Sequence, residues 1–376
     1  MTQKRFRGRK QVITMIAAFV LVLAAGLTGC GKNSAKETGS EKKDDYVFQI
    51  GTANNSLCLA PLHVAVDNGY FEEEFAAAGL KYKLVEIEMA QAPDLITTGK
   101  IDGCVGLSGT LIPQIDSGLD ISFIGGLHTG CTKYYVQADS KINAVEDLKG
   151  KTVGVPSLGD SSVIALKRKL FAVGVSVSTD NMEVKLVPYN MTDLPLALSN
   201  GAVDAIALHD PVAYSAEQEY GFKKILDLTE DSIFKKEYCC QIYVSNQAYE
   251  KHPEAAAAYT RALLKGAAYV QAKPEEAAKL QLENKQCSGE LETNTKLLSS
   301  YNYTPSVNLA KETYRKACGD LIEIGDLQEG RDLDEFTEAH FKTFNNVPES
   351  YKYDEKTNTF TEVSKGKETT DSNCCP

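Results

Sequence analysis

The chain has 376 residues, with 51 acidic against 40 basic side chains and a formal net charge of −11. This acidity argues against a nucleic-acid partner, whose phosphates need clustered lysine and arginine, and favours solubility beside a membrane surface. The length is enough for two domains of ordinary size.

In chain order, residues 1–29 come first as a targeting segment. Lys4, Arg5, Arg7, Arg9 and Lys10 precede a 16-residue uncharged run from Val12 to Leu27. Such a pattern is a secretory signal rather than a structural helix. It ends in Leu27-Thr28-Gly29-Cys30, which resembles the bacterial lipobox and implies cleavage before Cys30 and acylation of its thiol. Loss of five basic residues and no acid would leave 35 basic against 51 acidic side chains, a net charge of −16. Lys32 to Asp45 is polar and charged, and residues 30–45 are expected to be a flexible tether. No second apolar run is long enough to span a bilayer.

From residue 46 onward, short apolar runs alternate with helical patterns, the signature of an α/β architecture. Strands are expected at 46–52, 83–88, 101–105, 121–125 and 132–137, with helices at 61–75, 92–98 and 110–117 between them. A second set follows: strands at 152–155, 184–188, 203–207 and 224–228, with helices at 161–172, 192–200 and 211–219. One more strand is expected at 241–245, then helices at 253–272, 274–283, 290–299 and 305–324, the last opening on Pro305. Residues 351–376 are expected as a polar tail. This order suggests that the chain leaves one lobe near Tyr134, builds a second, and returns near Gln241. The expected boundaries are 46–133 plus 241–350 for one lobe and 134–240 for the other, with a cleft between them.

Several motifs occur in a telling order: Ala60-Pro61-Leu62-His63-Val64-Ala65, Asn68-Gly69-Tyr70-Phe71, Gly99-Lys100-Ile101-Asp102, and Asp147-Leu148-Lys149-Gly150-Lys151. Gly201-Ala202-Val203-Asp204-Ala205, Asp210-Pro211 and Tyr301-Asn302-Tyr303-Thr304-Pro305 continue it. Over residues 46–350 the chain resembles solute-binding proteins of ABC importers, in the branch that binds nitrate, sulfonates, taurine, bicarbonate or thiamine pyrimidine precursors. The resemblance implies a type II periplasmic-binding-protein fold: two αβ lobes joined by a two-strand hinge, with a helical C-terminal region. It further implies a small polar or heteroaromatic solute, a permease and ATPase as partners, a monomeric, lipid-anchored protein on the extracytoplasmic face, and no catalysis. The absence of GxSxG, Walker A and HExxH motifs agrees with the last point.

Ligands of open α/β sheets meet the loops at the carboxyl ends of strands. Those loops supply Asn54, Asn55, Cys58, Gln91, Ser108, Gly109, His128 and Cys131 from the first set. From the second come Ser157, Asp160, Ser161, Ser162, His209 and Asp210, and Cys239 lies at the return crossing. The loops carry no arginine or lysine, and Lys133 is expected to face solvent, so a neutral or cationic solute fits better than nitrate or a sulfonate.

Nine cysteines remain after Cys30, an odd number for an exported chain. Packing as small apolar residues is the first expectation for those near the hinge. The alternative is a thiol-lined ligand or metal site, with Cys58, His128, Cys131, Cys239 and Cys240 as metal candidates. A vicinal Cys239–Cys240 disulfide would be strained. No cofactor is otherwise expected. A second resemblance is to thiamine-pyrimidine synthases, whose Cys-Cys-Cys-Phe-Cys run is implicated in iron binding; here Cys239-Cys240 is followed by Gln241-Ile242-Tyr243. The run is truncated, so iron chemistry is not carried over.

Overall fold

The computed structural model describes residues 46–54, 56–178 and 180–364. Cys30, the 30–45 tether, Asn55 and residues 365–376 lie outside the described residues. Two five-stranded sheets organise the rest. The first uses β1 (Val47–Thr52), β2 (Lys81–Glu86), β3 (Gly103–Leu107), β4 (Ile121–Thr129) and β10 (Tyr238–Ser245) in the order β2-β1-β3-β10-β4. The second uses β5 (Thr132–Val136), β6 (Thr152–Val155), β7 (Lys185–Pro188), β8 (Ala205–His209) and β9 (Lys223–Asp227) in the order β7-β6-β8-β5-β9.

The two sheets share one plan. In each, four strands run in one direction and the fourth place in the order is taken by a single antiparallel strand, β10 in the first and β5 in the second. Each of these is the first strand after a crossing between sheets, the chain passing over after Thr129 and returning before Tyr238. The carboxyl ends of the parallel strands and both crossings therefore meet in one region.

Helices α1 (Ala60–Asp67), α2 (Tyr70–Ala77), α3 (Ala92–Thr97) and α4 (Ser108–Asp116) connect strands of the first sheet, and α5 (Ser161–Ala172), α6 (Leu194–Ser199) and α7 (Val212–Tyr220) those of the second. Asp160 starts α5 by accepting the Ser162 backbone N–H, satisfying one of the donors left free at a helix start. After β10 the chain is mainly helical: α8 (Asn246–Lys251), α9 (Pro253–Ala272), α10 (Pro274–Glu283), α11 (Leu291–Ser300), α12 (Val307–Glu323) and α13 (Leu333–His340). Alanines along α9 let it pack closely on α1 and α2, so its buried residues span most of its circumference. Among the described residues no helix is long and apolar enough to cross a membrane.

Four expectations change. Residues 351–363, read as part of a polar tail, belong with Ser350 to a hairpin of β11 (Ser350–Asp354) and β12 (Thr359–Val363) that packs on α9. Its aromatic residues Tyr351, Tyr353 and Phe360 pack edge-to-face or tilted against one another and against Tyr70 and Tyr269, which supplies the apolar surface the composition seemed to lack. Pro305 does not open α12; Ser306 caps it, accepting from the Leu309 N–H, and Pro305 precedes the cap. The return strand begins at Tyr238, so Cys239 and Cys240 lie within it. Finally, α13 closes an exposed sheet edge that the sequence reading did not cover. Phe341 bridges Phe123 of β4, and Lys342 donates its backbone N–H to Phe123 at 2.8 Å, so the edge strand is buried along its whole length.

Candidate functional site

A cleft of about 530 Å³ lies where the strand ends of both sheets face each other. Asn54, Cys58, Met89 and Cys240 line it from the first sheet, and Cys131, Met191, His209 and Asp210 from the second. Ser157 and Asp160 line a contiguous recess of about 270 Å³ that shares Met89, Gly106 and Leu107 with the cleft. Ser108, Gly109, Ser161 and Cys239 surround a narrow gap of about 50 Å³. A larger hollow of about 690 Å³ lies beside the β11–β12 hairpin, but its Arg261 and Lys265 are already paired with Glu73 and Glu74. The interstrand cleft is the better site because its polar groups converge.

Not every expected residue reaches the cleft. Gln91 is exposed at the turn before α3, whereas its neighbours Glu88 and Met89 line the wall. Ser162 is fully buried, its carbonyl accepting from the Tyr134 hydroxyl at 2.5 Å. Ser108 is structural as well as peripheral: its hydroxyl donates to the Tyr238 carbonyl at 3.0 Å, tying α4 to the start of β10. Gly109 lets α4 approach α5, for a Cβ there would sit 3.2 Å from the Ser161 Cβ. His63, grouped with the cleft histidines by sequence order, supports the loop instead. Its Nε2 meets the Ala53 carbonyl and its Nδ1 meets Gln281, each at 2.8 Å.

Burial lowers the His63 pKa, the Ala53 carbonyl and Asp67 opposing it only in part. The unfolded chain therefore takes up this proton first, near the ordinary histidine pKa of ~6.5. The stability His63 confers is complete above that value and declines as pH falls from it toward the lowered folded pKa. His63→Gln should flatten this part of a urea-midpoint against pH profile; an unchanged slope would assign the acid sensitivity elsewhere.

The polar wall of the second sheet is held by two linked pairs. His209 Nε2 lies 2.9 Å from Asp160, and its Nδ1 lies 2.9 Å from the Thr132 hydroxyl. Burial disfavours the imidazolium, but the Asp160 carboxylate outweighs it and raises the His209 pKa well above the ordinary value. Lys133 does not face solvent as expected. It forms a buried ion pair with Asp210, whose carboxylate also accepts from the Tyr301 hydroxyl at 2.9 Å and from the Tyr214 N–H at 3.2 Å. The antiparallel pairing of β5 with β8 causes this, because it sets Lys133 opposite Leu208 at the buried end of both strands. Lys133 is thus neutralised, and burial still holds the Asp210 carboxyl above the usual range. Glu86, Glu88 and Lys285 also line the cleft and were missed, since only pairing geometry and a long-range return of the chain bring them there.

Four cysteines, Cys58, Cys131, Cys239 and Cys240, converge at the cleft floor. The cysteines among the described residues are free thiols, so no Cys239–Cys240 disulfide is present. Cys239 Sγ lies 3.7 Å from Cys131 Sγ, 3.8 Å from Cys240 Sγ and 3.7 Å from His128 Nδ1. Cys58 lines the cleft together with Cys131 and Cys240. Adjacent residues of a regular strand point to opposite faces. Here the β10–β4 register shifts between Tyr238 and Cys240 and again between Cys240 and Gln241, so a bulge turns both thiols to one side. Hydrogen bonds from Cys239 and Cys58 pull the Cys131 and Cys240 thiols well below their ordinary pKa despite burial, and raise Cys58 and Cys239 in return. Burial opposes the His128 imidazolium, but Cys240 and Cys131 bring its pKa up to about 9. Tyr301 and Tyr303 pack on the His128 ring at 5.4 and 5.1 Å between centroids; the motif containing them was noticed, its place at the site was not.

A family model described as NMT1/THI5 like matches residues 58–277, more than half of the chain. The chain belongs to the NMT1/THI5-like family. It is 25% identical over 276 residues to a putative aliphatic sulfonates-binding protein of Bacillus subtilis, covering 72% of this chain and 77% of that one. It is 23% identical over 292 residues to a formylaminopyrimidine-binding protein of Halalkalibacterium halodurans, covering 73% and 78%. The alkanesulfonate-binding protein of Xanthomonas axonopodis pv. citri, solved with MOPS bound, superposes with a TM-score of 0.62 at 16% identity, over 79% of this chain and 98% of that one. These likenesses establish the periplasmic-binding-protein fold and relatives that are binding proteins. The matched span contains Cys58, His128, Cys131, Cys239 and Cys240, whereas Lys285, Tyr301 and Tyr303 lie beyond it.

Proposed function

We propose that this protein is a solute-binding component of an ABC importer, exported and tethered by lipid on Cys30, that acts as a monomer and catalyses no reaction. It captures a small polar, heteroaromatic solute of neutral or cationic charge and passes it to a permease and ATPase. The observation that carries the reading is the cleft of about 530 Å³ walled by both sheets and flanked by the two chain crossings, which suits closure around a ligand. The choice of solute follows from charge. Lys133 is spent on Asp210 and His209 on Asp160, and Lys285 shares the lining with Glu86 and Glu88. Met89, Met191 and Leu107 offer apolar, polarisable surface to a flat ring.

The test is a thermal-unfolding screen of the reduced protein against aminopyrimidines, flavins, alkanesulfonates, taurine, bicarbonate and nitrate. A solute that prefers the closed native state, at a hundred times its Kd, stabilises by about 2.7 kcal/mol. An aminopyrimidine or related ring should give such a shift and be recovered unchanged by mass spectrometry. Stabilisation by nitrate or sulfonates alone would refute the charge argument, and recovery of a converted product would refute the binding-only reading.

A further inference from the structure

We propose that the thiol cluster at the cleft floor is a binding site for a soft d10 cation, Zn2+ or Cu+, with Cys239, Cys240 and His128 as ligands and Cys131 beside Cys239. Geometry is the first ground. A tetrahedral ion with metal–sulfur bonds of about 2.3 Å holds its sulfurs about 3.8 Å apart. Cys239 has Cys131, Cys240 and His128 Nδ1 at 3.7, 3.8 and 3.7 Å, and the donor atoms of His128, Cys239 and Cys240 all lie within 4.8 Å of one another. The ligands come from β4 and β10, more than a hundred residues apart, so the spacing is a product of the fold and not of a short sequence motif.

The second ground is the chemistry of the donor set. Two thiols and an imidazole, with no carboxylate among them, select thiophilic ions over Mg2+ or Ca2+. His128 is fully buried, and its Nε2 has no hydrogen-bond partner, although buried polar atoms ordinarily find one. Its Nδ1, the nitrogen nearest Cys239, also lies 3.0 Å from the Thr129 carbonyl, which fixes the orientation of the ring. Packing alone would tolerate small apolar residues at these positions, but it gives no reason for a bulge that turns Cys239 and Cys240 to one side. Binding would release the protons of the coordinating thiols and leave Cys58, which lines the cleft with Cys131 and Cys240, as an outer sulfur.

The full chain, purified in detergent and fully reduced under anaerobic conditions, is titrated with Co2+ as an optical probe, then with Zn2+ and Cu+ in competition. One equivalent of Co2+ should bind with a thiolate-to-metal charge-transfer band, and Zn2+ or Cu+ should displace it; their relative affinity identifies the ion preferred. Cys239→Ser and Cys240→Ser should each weaken binding at least a hundredfold. Cys318→Ala, at a buried thiol in α12, should leave it unchanged. Because a buried substitution can unfold the chain, cadmium NMR on the wild-type protein reports sulfur-rich coordination independently. Absence of stoichiometric binding, binding indifferent to both serine variants, an oxygen-rich cadmium shift, or a Cys131–Cys239 disulfide that resists reduction would each overturn the assignment. Solute binding is measured on metal-free protein, so a failed metal titration leaves the transport reading standing.

Discussion

Asp210→Ala is expected to remove about 3–5 kcal/mol of unfolding free energy, the cost typical of leaving one partner of a buried ion pair alone. The Asp210 side chain is fully buried and that of Lys133 nearly so, and no water replaces the lost carboxylate cheaply. The same change strands the Tyr301 hydroxyl and the Tyr214 N–H, so the loss extends from the second sheet to the segment before α12. Replacing both partners, Lys133→Met with Asp210→Leu, should recover more than half of the loss, because the uncompensated charge is then gone. Urea titrations followed by circular dichroism measure both differences. A loss below about 1 kcal/mol for Asp210→Ala would mean that Lys133 finds solvent, as the sequence alone suggested.

Gly109→Leu is expected to reduce solute affinity at least tenfold, or by about 1.4 kcal/mol, with a much smaller effect on unfolding. Even a Cβ at this position would stand 3.2 Å from the Cβ and 3.3 Å from the Cα of Ser161, tighter than ordinary contact. A leucine must therefore drive α4 and α5 apart, and those two helices follow strands of different sheets. Closure would be impeded while each sheet keeps its own core. Calorimetric titration with the solute found in the screen measures the affinity, and small-angle scattering measures opening of the cleft. Unchanged affinity with an unchanged scattering radius would show that the α4–α5 approach is not needed for capture.

The two expectations differ in what they probe. Asp210 reports how the second sheet's strand ends are charged and anchored, and Gly109 how closely the two walls can meet. If the first fails and the second holds, the cleft closes but its wall is more hydrated than the geometry implies. If the second fails, the proposed closure has to use surfaces other than the starts of α4 and α5.

Much of the architecture was legible because its signals are local. The helices at Ser161–Ala172, Pro253–Ala272 and Pro274–Glu283 and the strand Thr152–Val155 match their expected bounds, as apolar periodicity and proline or Asp160 starts mark them within a few residues. The alternation of such elements indicated the α/β class, and the motif order indicated the binding-protein fold. It was also legible that Asn54, Cys58, Cys131, His209 and Asp210 follow strand ends, which is where the cleft lies. Tertiary structure alone decided how those residues meet. The bulge in β10 is a mismatch between two strands more than a hundred residues apart in sequence, and neither strand encodes it by itself. Lys133 is buried because antiparallel pairing places it near Asp210, and β4 is protected because Phe341 returns to its edge. Periodicity reports which face of an element is apolar; it carries no information about which distant face arrives to cover it, and the chemistry of this cleft is made at those arrivals.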